Sequence, residues 1–244
     1  MSTPPAGALP PFFVPDGEAF VATESTRGPW SRQHQHGLTF DSLRPVPIAP
    51  LTVRAELTRV GAKVRRLQAT LGAADGTPLV QASAVALRTA PMLPESVGNG
   101  DLSPAPPEAA APFEFRFFAD AIGYHTSVES RIVRGSWGKG PVAAWMRSRV
   151  PLVAGETPSP LQRLLIVADS ASGVAVVLDY TRYTFVNADL TVALHRPAEG
   201  DWICLDASTV AEAHGVGLTR ARLWDTRGAL GVSLQSCLVE PRPG

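Results

Sequence analysis

The sequence predicts an α+β protein of two similar halves, in which bent antiparallel sheets wrap around a largely apolar helix. Three observations favour this class: an internal repeat, many strand-like segments joined by short turns, and one strongly apolar helical segment in the second half. The chain of 244 residues is long enough for two domains of ordinary size, and its 45% hydrophobic residues can form a sizeable core.

The internal repeat relates the C-terminal part of the chain to residues 38–87. Moved back by 152 positions without a gap, Leu190-Thr191 falls on Leu38-Thr39, and Arg196-Pro197 falls on Arg44-Pro45. The same shift aligns five later identities: Ala207 with Ala55, Ala221 with Ala69, Leu223 with Leu71, Gly228 with Gly76, and Val232 with Val80. Two copies with so long a period indicate a duplicated domain rather than a solenoid.

The repeat divides the chain into an N-terminal half, residues 1–89, and a C-terminal half, residues 113–244. Residues 90–112 between them are rich in Pro, Gly, Ser and Ala and show no periodicity, which is typical of a linker. The first half predicts an antiparallel meander, because turn signals at Val60-Gly61 and Asp75-Gly76 separate its strand-like segments. These segments are residues 12–21, 38–43, 51–58, 63–71 and 79–89.

The second half adds a helix to the same meander. Ser159 is a suitable N-cap and Pro160 suits the first helical position. Leu161, Leu164, Leu165 and Ala168 then share one face of a helix that we expect to end before Gly173. The strand-like segments of this half are residues 113–118, 124–133, 141–152, 184–194, 202–210, 217–224 and 230–239.

Composition and short motifs exclude several functional classes. The net charge is zero and the Lys and Arg residues are scattered, so we expect no nucleic-acid partner. Cys204 and Cys237 lie in apolar, strand-like runs and are expected to be small buried residues, and no cluster has zinc-ligand spacing. Neither a signal peptide nor an apolar run of about 18 residues is present, which predicts a reduced, cytoplasmic protein without a membrane span.

Motifs spread over nearly the whole chain, in matching order, resemble the TesB-like (thioesterase II) acyl-CoA thioesterases. In the second half they are Ala168-Asp169, Asn187 to Thr191, His195-Arg196-Pro197, Trp202, Leu205-Asp206, Gly215, Gly217, Asp225 with Gly228, and Gln235. In the first half they are Arg27 to Trp30, Gln35-His36-Gly37 and Leu43 to Pro47. The resemblance implies a double hot-dog fold, hydrolysis of fatty acyl-CoA in fatty acid metabolism, and no metal or other cofactor. It implies acyl-CoA or another acyl thioester as partner, and it leaves a homo-oligomer open.

The resemblance also implies a catalytic site of Asp169, Asn187 and Gln235, which hold and activate the attacking water. Asn187 stands where the family more often has Thr. Asp169 lies late in the predicted helix, where the helix dipole disfavours a negative charge and partial burial should raise the pKa of its carboxyl group. Taken alone, Asn187 fits a turn residue and Gln235 an outward polar residue of an exposed strand, since the alternation around Gln235 is ambiguous. The repeat pairs them with Gln35 and Ser83.

Other chemistries find less support. The chain has no G-x-S-x-G elbow and no glycine-rich phosphate loop, and His36 and His195 fit structural roles. A dehydratase of the same fold class would need a His with an acidic partner, and no convincing pair occurs. The alternative to hydrolysis is therefore a hot-dog protein that binds an acyl thioester without cleaving it.

The two halves differ at the place where the family has its first helix. Seven residues separate Trp30 from Leu38, whereas 52 residues separate Trp137 from Leu190. The sequence thus lacks room for a first-half helix after Gln35-His36-Gly37. Either a segment of helical length is omitted from the sequence, the protein has lost the helix, or a neighbouring chain fills the groove. The good register of the flanking strands favours omission, and an intact mass above 25.8 kDa would confirm it.

Overall fold

The fold is an extended antiparallel sheet that curves around helices in the second half. The structure, a computed structural model, describes residues 13–16, 19–22, 38–87, 95, 97, 100, 102–115 and 120–242. The described residues of the first half form six strands: β1 Phe13–Asp16, β2 Ala19–Ala22, β3 Thr39–Ser42, β4 Pro50–Val60, β5 Val64–Ala73 and β6 Pro78–Leu87.

The second half contains three short helices and seven strands. The helices are α1 Tyr124–Ser127, α2 Pro160–Ala168 and α3 Ala171–Val174. The strands are β7 Val128–Arg134, β8 Val142–Ser148, β9 Tyr183–Asn187, β10 Asp189–Leu194, β11 Ile203–Ala211, β12 Val216–Asp225 and β13 Gly228–Pro241. This arrangement agrees with the α+β class predicted from the sequence.

All strands belong to one 13-stranded sheet, and the two halves meet where β3 pairs with β10. The order along the sheet is β1-β2-β4-β5-β6-β3-β10-β13-β12-β11-β8-β7, and β9 pairs with the end of β13. At the junction Thr39 lies opposite Thr191, with 3.5 Å between their Oγ1 atoms. These two threonines are related by the repeat, so a local two-fold axis passes between them.

The register of the strands corrects the repeat in one respect. Ala55 pairs with Ala69 and Ala207 with Ala221, so β4 and β5 keep the shift of 152 positions relative to β11 and β12. Opposite them, however, Leu67 pairs with Ala84 whereas Thr219 pairs with Gln235. Eight residues separate Leu71 from its partner Val80, whereas seven separate the equivalent Leu223 from its partner Gly231. The β5–β6 connection is thus one residue longer between paired residues, and Ala84, not Ser83, is the counterpart of Gln235.

Helix α2 lies at the centre of the second-half core. Ser159 caps it as predicted, since its Oγ accepts from the Gln162 backbone N–H and the Gln162 side chain accepts from the Ser159 N–H. Residues 164–168 are all buried against β8, β11 and their neighbours. Both cysteines are free and buried, as expected.

Two local predictions are wrong. Tyr124–Ser127, expected to begin a strand, form the helical turn α1, which Thr126 closes by accepting from the Gly123 N–H. Gly173 does not follow the helix but lies inside α3, after a break at residues 169–170. The cause of that break is a set of hydrogen bonds from distant strands, described below.

The first-half sheet is less covered than its counterpart. No helix occurs among the described residues of the first half, and residues 23–37 lie outside them. Val53 and Leu57 of β4 are 53% and 52% exposed, whereas their counterparts on β11, Leu205 and Thr209, are 0% and 9% exposed. This difference fits the absence of a helix from the described first half, because in the second half α2 and α3 pack on that face.

Candidate active site

The candidate site is built around the break between α2 and α3. The Ser170 N–H turns back to the Val167 carbonyl, and regular helical bonds resume with Val174 N–H to Ser170. Asp169 lies between these two patterns, so its carbonyl is released from the helical ladder and accepts hydrogen bonds from two strands instead.

The structure brings Asp169, Asn187 and Gln235 together. The Gln235 Nε2 donates to the Asp169 carbonyl at 2.8 Å and to its Oδ1 at 3.0 Å. The Asn187 Nδ2 donates to the same two oxygens at 3.2 and 3.0 Å. Each amide thus donates to both the main-chain carbonyl and the side chain of Asp169. The Asp169 Oδ2 has no hydrogen-bond partner among the residues that the structure describes.

The two amides come from neighbouring positions on the paired strands β9 and β13. Asn187 ends β9 and lies opposite Cys237, two residues after Gln235 on β13. Gln235 is fully buried and faces the helix, whereas the strand taken alone predicts an outward position. The alternation misled because β13 places Ser233, Gln235 and Cys237 inward and leaves Leu234 and Leu238 about half exposed.

Burial raises the pKa of the Asp169 carboxyl group, and the amide hydrogen bonds from Asn187 and Gln235 oppose this effect. Two further titratable groups lie near it. Burial raises the pKa of Tyr124 above its usual range and that of Cys237 to about 12, so both stay neutral near pH 7. Tyr124 and Cys237 therefore add no charge beside Asp169 near pH 7, and the other carboxylate close to this part of β13 is Asp189, which accepts from the Ser236 backbone and hydroxyl.

Two contacts around the site were not predicted from the sequence. Ser172 donates its backbone N–H to Gln235 Oε1 and its hydroxyl to Asn187 Oδ1. Tyr124 donates to the Ile166 carbonyl and accepts from the Ser170 hydroxyl. Serines and a lone tyrosine have no distinguishing pattern in a single sequence, and only their place beside Asp169 marks them.

The Arg196 and Asp225 motifs have a structural role at another place. The Arg196 guanidinium binds both oxygens of the buried Asp225 carboxylate, which also accepts from the backbone of Glu199, Arg227 and Gly228. Despite its burial, these donors hold the pKa of Asp225 below its usual range. The network ties the loop after β10 to the β12–β13 turn.

The described residues contain no group of three or more metal-ligating side chains. Among the same residues, none of the helices has the length and apolar character needed to cross a bilayer.

Comparisons with known proteins relate the chain to a family. The family model of the acyl-CoA thioesterase C-terminal domain matches residues 100–239, which include Asp169, Asn187 and Gln235. A sequence comparison with curated proteins gives no significant match.

Solved structures show the same fold at low identity. A protein of Thermobifida fusca YX assigned as a thioesterase II has a TM-score of 0.67 and 16% identity, over 85% of this chain and 80% of that one. The acyl-CoA thioesterase II TesB2 of Mycobacterium marinum has a TM-score of 0.64 and 18% identity, over 86% of this chain and 81% of that one. A hot-dog protein of unknown function from Alicyclobacillus acidocaldarius has a TM-score of 0.64 and 17% identity, over 95% of this chain and 96% of that one. Both the fold class and the resemblance predicted from the sequence are confirmed, and the chain belongs to the acyl-CoA thioesterase family.

Proposed function

We propose that the protein hydrolyses the thioester of fatty acyl-CoA, with Asp169 as the general base. The observation that supports this role most directly is the pair of amide hydrogen bonds to Asp169, which fix a partly buried carboxylate with one oxygen directed to the two strands. Its raised pKa suits a group that must accept a proton from water. The family match supports the substrate class.

The chemistry needs only this carboxylate and water. Oδ2 of the ionised Asp169 takes a proton from the water as the water oxygen bonds to the thioester carbonyl carbon. The tetrahedral intermediate then collapses, the C–S bond breaks, and the proton on Asp169 passes to the leaving sulfur. The products are a free fatty acid and the thiol of coenzyme A.

Asn187 and Gln235 act in this scheme by orienting the base. Each amide nitrogen lies within hydrogen-bond distance of two oxygens of Asp169, so the amides hold the carboxylate rather than the water itself. Hydrogen bonds to the ionised carboxylate stabilise it and limit the rise of its pKa. The role of Asn187 needs only a hydrogen-bond donor, which both Asn and Thr can supply.

The test is release of free thiol from a panel of acyl-CoA substrates of different chain length. Asp169→Asn should lower kcat by about 10²- to 10⁴-fold, the range expected for loss of a general base. Asp201→Asn is a matched control, because the Asp201 side chain is 71% exposed and pairs only with Arg163 at 3.7 Å. Wild-type turnover in Asp169→Asn would refute the assignment.

The second candidate function is binding of an acyl thioester without cleavage. The observation that favours it is that the nitrogens of both amides are directed to Asp169, which makes them less available to a water or a substrate carbonyl. Tight acyl-CoA binding by the wild-type protein, without thiol release from any substrate of the panel, would select this function over hydrolysis.

A further inference from the structure

Ser172 contacts the far ends of both amides at the candidate site. Its backbone N–H donates to Gln235 Oε1 at 3.1 Å, and its hydroxyl donates to Asn187 Oδ1 at 2.8 Å. The residue is 5% exposed, so water does not easily replace these bonds. One buried serine therefore contacts the two groups that hold Asp169.

The contact to Gln235 determines which end of that amide faces Asp169. A backbone N–H can only donate, so the atom opposite Ser172 must be the amide oxygen, and the nitrogen must point to the carboxylate. The hydroxyl of Ser172 donates to Asn187 Oδ1, with a weaker contribution from the Cys237 thiol at 3.5 Å. A hydroxyl can also accept, so the orientation of Asn187 is set jointly by Ser172 and by the two acceptor oxygens of Asp169.

We propose that Ser172 is a positioning residue of the hydrolytic site, which holds both amide oxygens so that both amide nitrogens face Asp169. This inference rests on the proposed function for its catalytic consequence. Its structural content, the orientation of the amides, does not depend on turnover.

Removal of the hydroxyl affects the two amides differently. In Ser172→Ala the backbone N–H remains, so Gln235 keeps its orientation. Asn187 loses the donor to its Oδ1 and is held less firmly, so its Nδ2 donates less well to Asp169 Oδ1. The ionised form of Asp169 is then less stable. The nearby Tyr124 and Cys237 remain neutral near pH 7, and the Asp189 carboxylate on the other side of Cys237 is bound to Ser236 and not to Ser172 or the two amides. The change should therefore be visible in the titration of Asp169.

The experiment compares the pH dependence of kcat in the wild type, Ser172→Ala and Ser172→Thr. In Ser172→Ala we expect kcat to fall about three- to tenfold at neutral pH with little change in KM, as for loss of one hydrogen bond. The acid limb should move to higher pH by about half to one pH unit. Ser172→Thr keeps a hydroxyl and should keep the limb near its wild-type position. Ser208→Ala is the control, because Ser208 on β11 contacts Arg220 and not the amides.

A second measurement separates this inference from the hydrolase assignment. The ¹³C signal of the Asp169 carboxyl, followed by NMR against pH without substrate, should titrate at higher pH in Ser172→Ala than in the wild type. In an Asn187→Ala background, Ser172→Ala should shift neither the signal nor kcat further. An unchanged titration in Ser172→Ala, or an equal shift in both backgrounds, would overturn the positioning role, even if Asp169→Asn proves inactive. Absence of any turnover would instead overturn the proposed function alone.

Discussion

At the scale of single residues, Asp169 places a charge where the fold disfavours it. Its pKa is raised by burial, so the folded state binds the proton of this carboxyl more tightly than the unfolded chain does. The free energy of unfolding must then fall as the pH rises from the unfolded pKa, near 3.8, through the raised folded value. Near pH 7 the ionised carboxylate weakens the structure that it serves.

Because ionisation of Asp169 lowers the free energy of unfolding, we predict that Asp169→Asn stabilises the protein near neutral pH. An asparagine oxygen can still accept from Asn187 and Gln235, while the buried charge is gone. We expect the variant to melt a few degrees above the wild type at about pH 7, as for other strained functional groups. The gap should close as the pH falls toward 4, where Asp169 is protonated. Thermal melts over this range test the prediction, and a variant that melts lower at pH 7 would contradict it.

The sequence supports only part of this site. The resemblance identified Asp169, Asn187 and Gln235, and the structure places them within hydrogen-bond distance. Their catalytic role stays a prediction. The inward position of Gln235 could not be read from the strand, because its apolar neighbours point outward. Ser172 could not be found either, because a serine in a helical turn is ordinary until the two amides are seen beside it.

At the scale of elements, local signals decided what was predictable. The hairpins follow from their turn residues, and α2 follows from its N-cap and apolar face. The break after α2 depends on Asn187 and Gln235, which lie 18 and 66 positions further along the chain. The split between β9 and β10 at Ala188 likewise depends on Asp189, whose side chain accepts from the Ser236 backbone. No local pattern reports such contacts.

The close pairing of β13 with β10 at Gly231 gives a prediction at this scale. Gly231 has φ +156°, and a Cβ there would lie 1.9 Å from the Ala193 carbonyl oxygen. Gly231→Ala should therefore lower the free energy of unfolding by about 3 kcal/mol, from strain together with a displaced strand. Urea unfolding measures this loss.

Gly138→Ala is the matched control for Gly231→Ala. Gly138 also has a positive φ, +79°, but a Cβ there meets no atom within 4 Å. It should lose only about 1 kcal/mol, the backbone part of the penalty. Equal losses in the two variants would show that the close approach of β10 to Gly231 is unimportant.

At the scale of the whole molecule, the repeat gave the architecture of two related halves. It could not give the one-residue difference between the β5–β6 and β12–β13 turns, because the flanking identities tolerate either alignment. The half boundaries at residues 89 and 113 and the homo-oligomer stay predictions. The first-half helix lies outside what the structure can decide, since residues 23–37 are not among those described.

The junction between the halves can be tested by a disulfide. Thr39 and Thr191 lie directly opposite each other on β3 and β10. The neighbouring residues form the hydrogen bond, from the Val192 N–H to the Leu38 carbonyl, so the two threonines are a non-hydrogen-bonded pair, in which the side chains lie closer together. Thr39→Cys with Thr191→Cys should oxidise readily and stabilise the protein by about 4 kcal/mol, because the bond closes a very long loop. Differential scanning calorimetry with and without reductant measures the gain.

A thiol count in denaturant is the control for the disulfide variant. The native Cys204 and Cys237 are buried and free, and should remain thiols. Two free thiols per oxidised monomer are therefore expected. Four free thiols after oxidation would contradict the threonine pairing at the junction.

The pairing of Thr39 with Thr191 also has an evolutionary consequence. A half-length chain paired with a copy of itself at this rung would make the same symmetric contact, so duplication and fusion of such a chain would account for it. Ala84 stands at the first-half position that corresponds to Gln235, so the amide donor is not repeated there, whereas the threonine at the axis occurs in both halves.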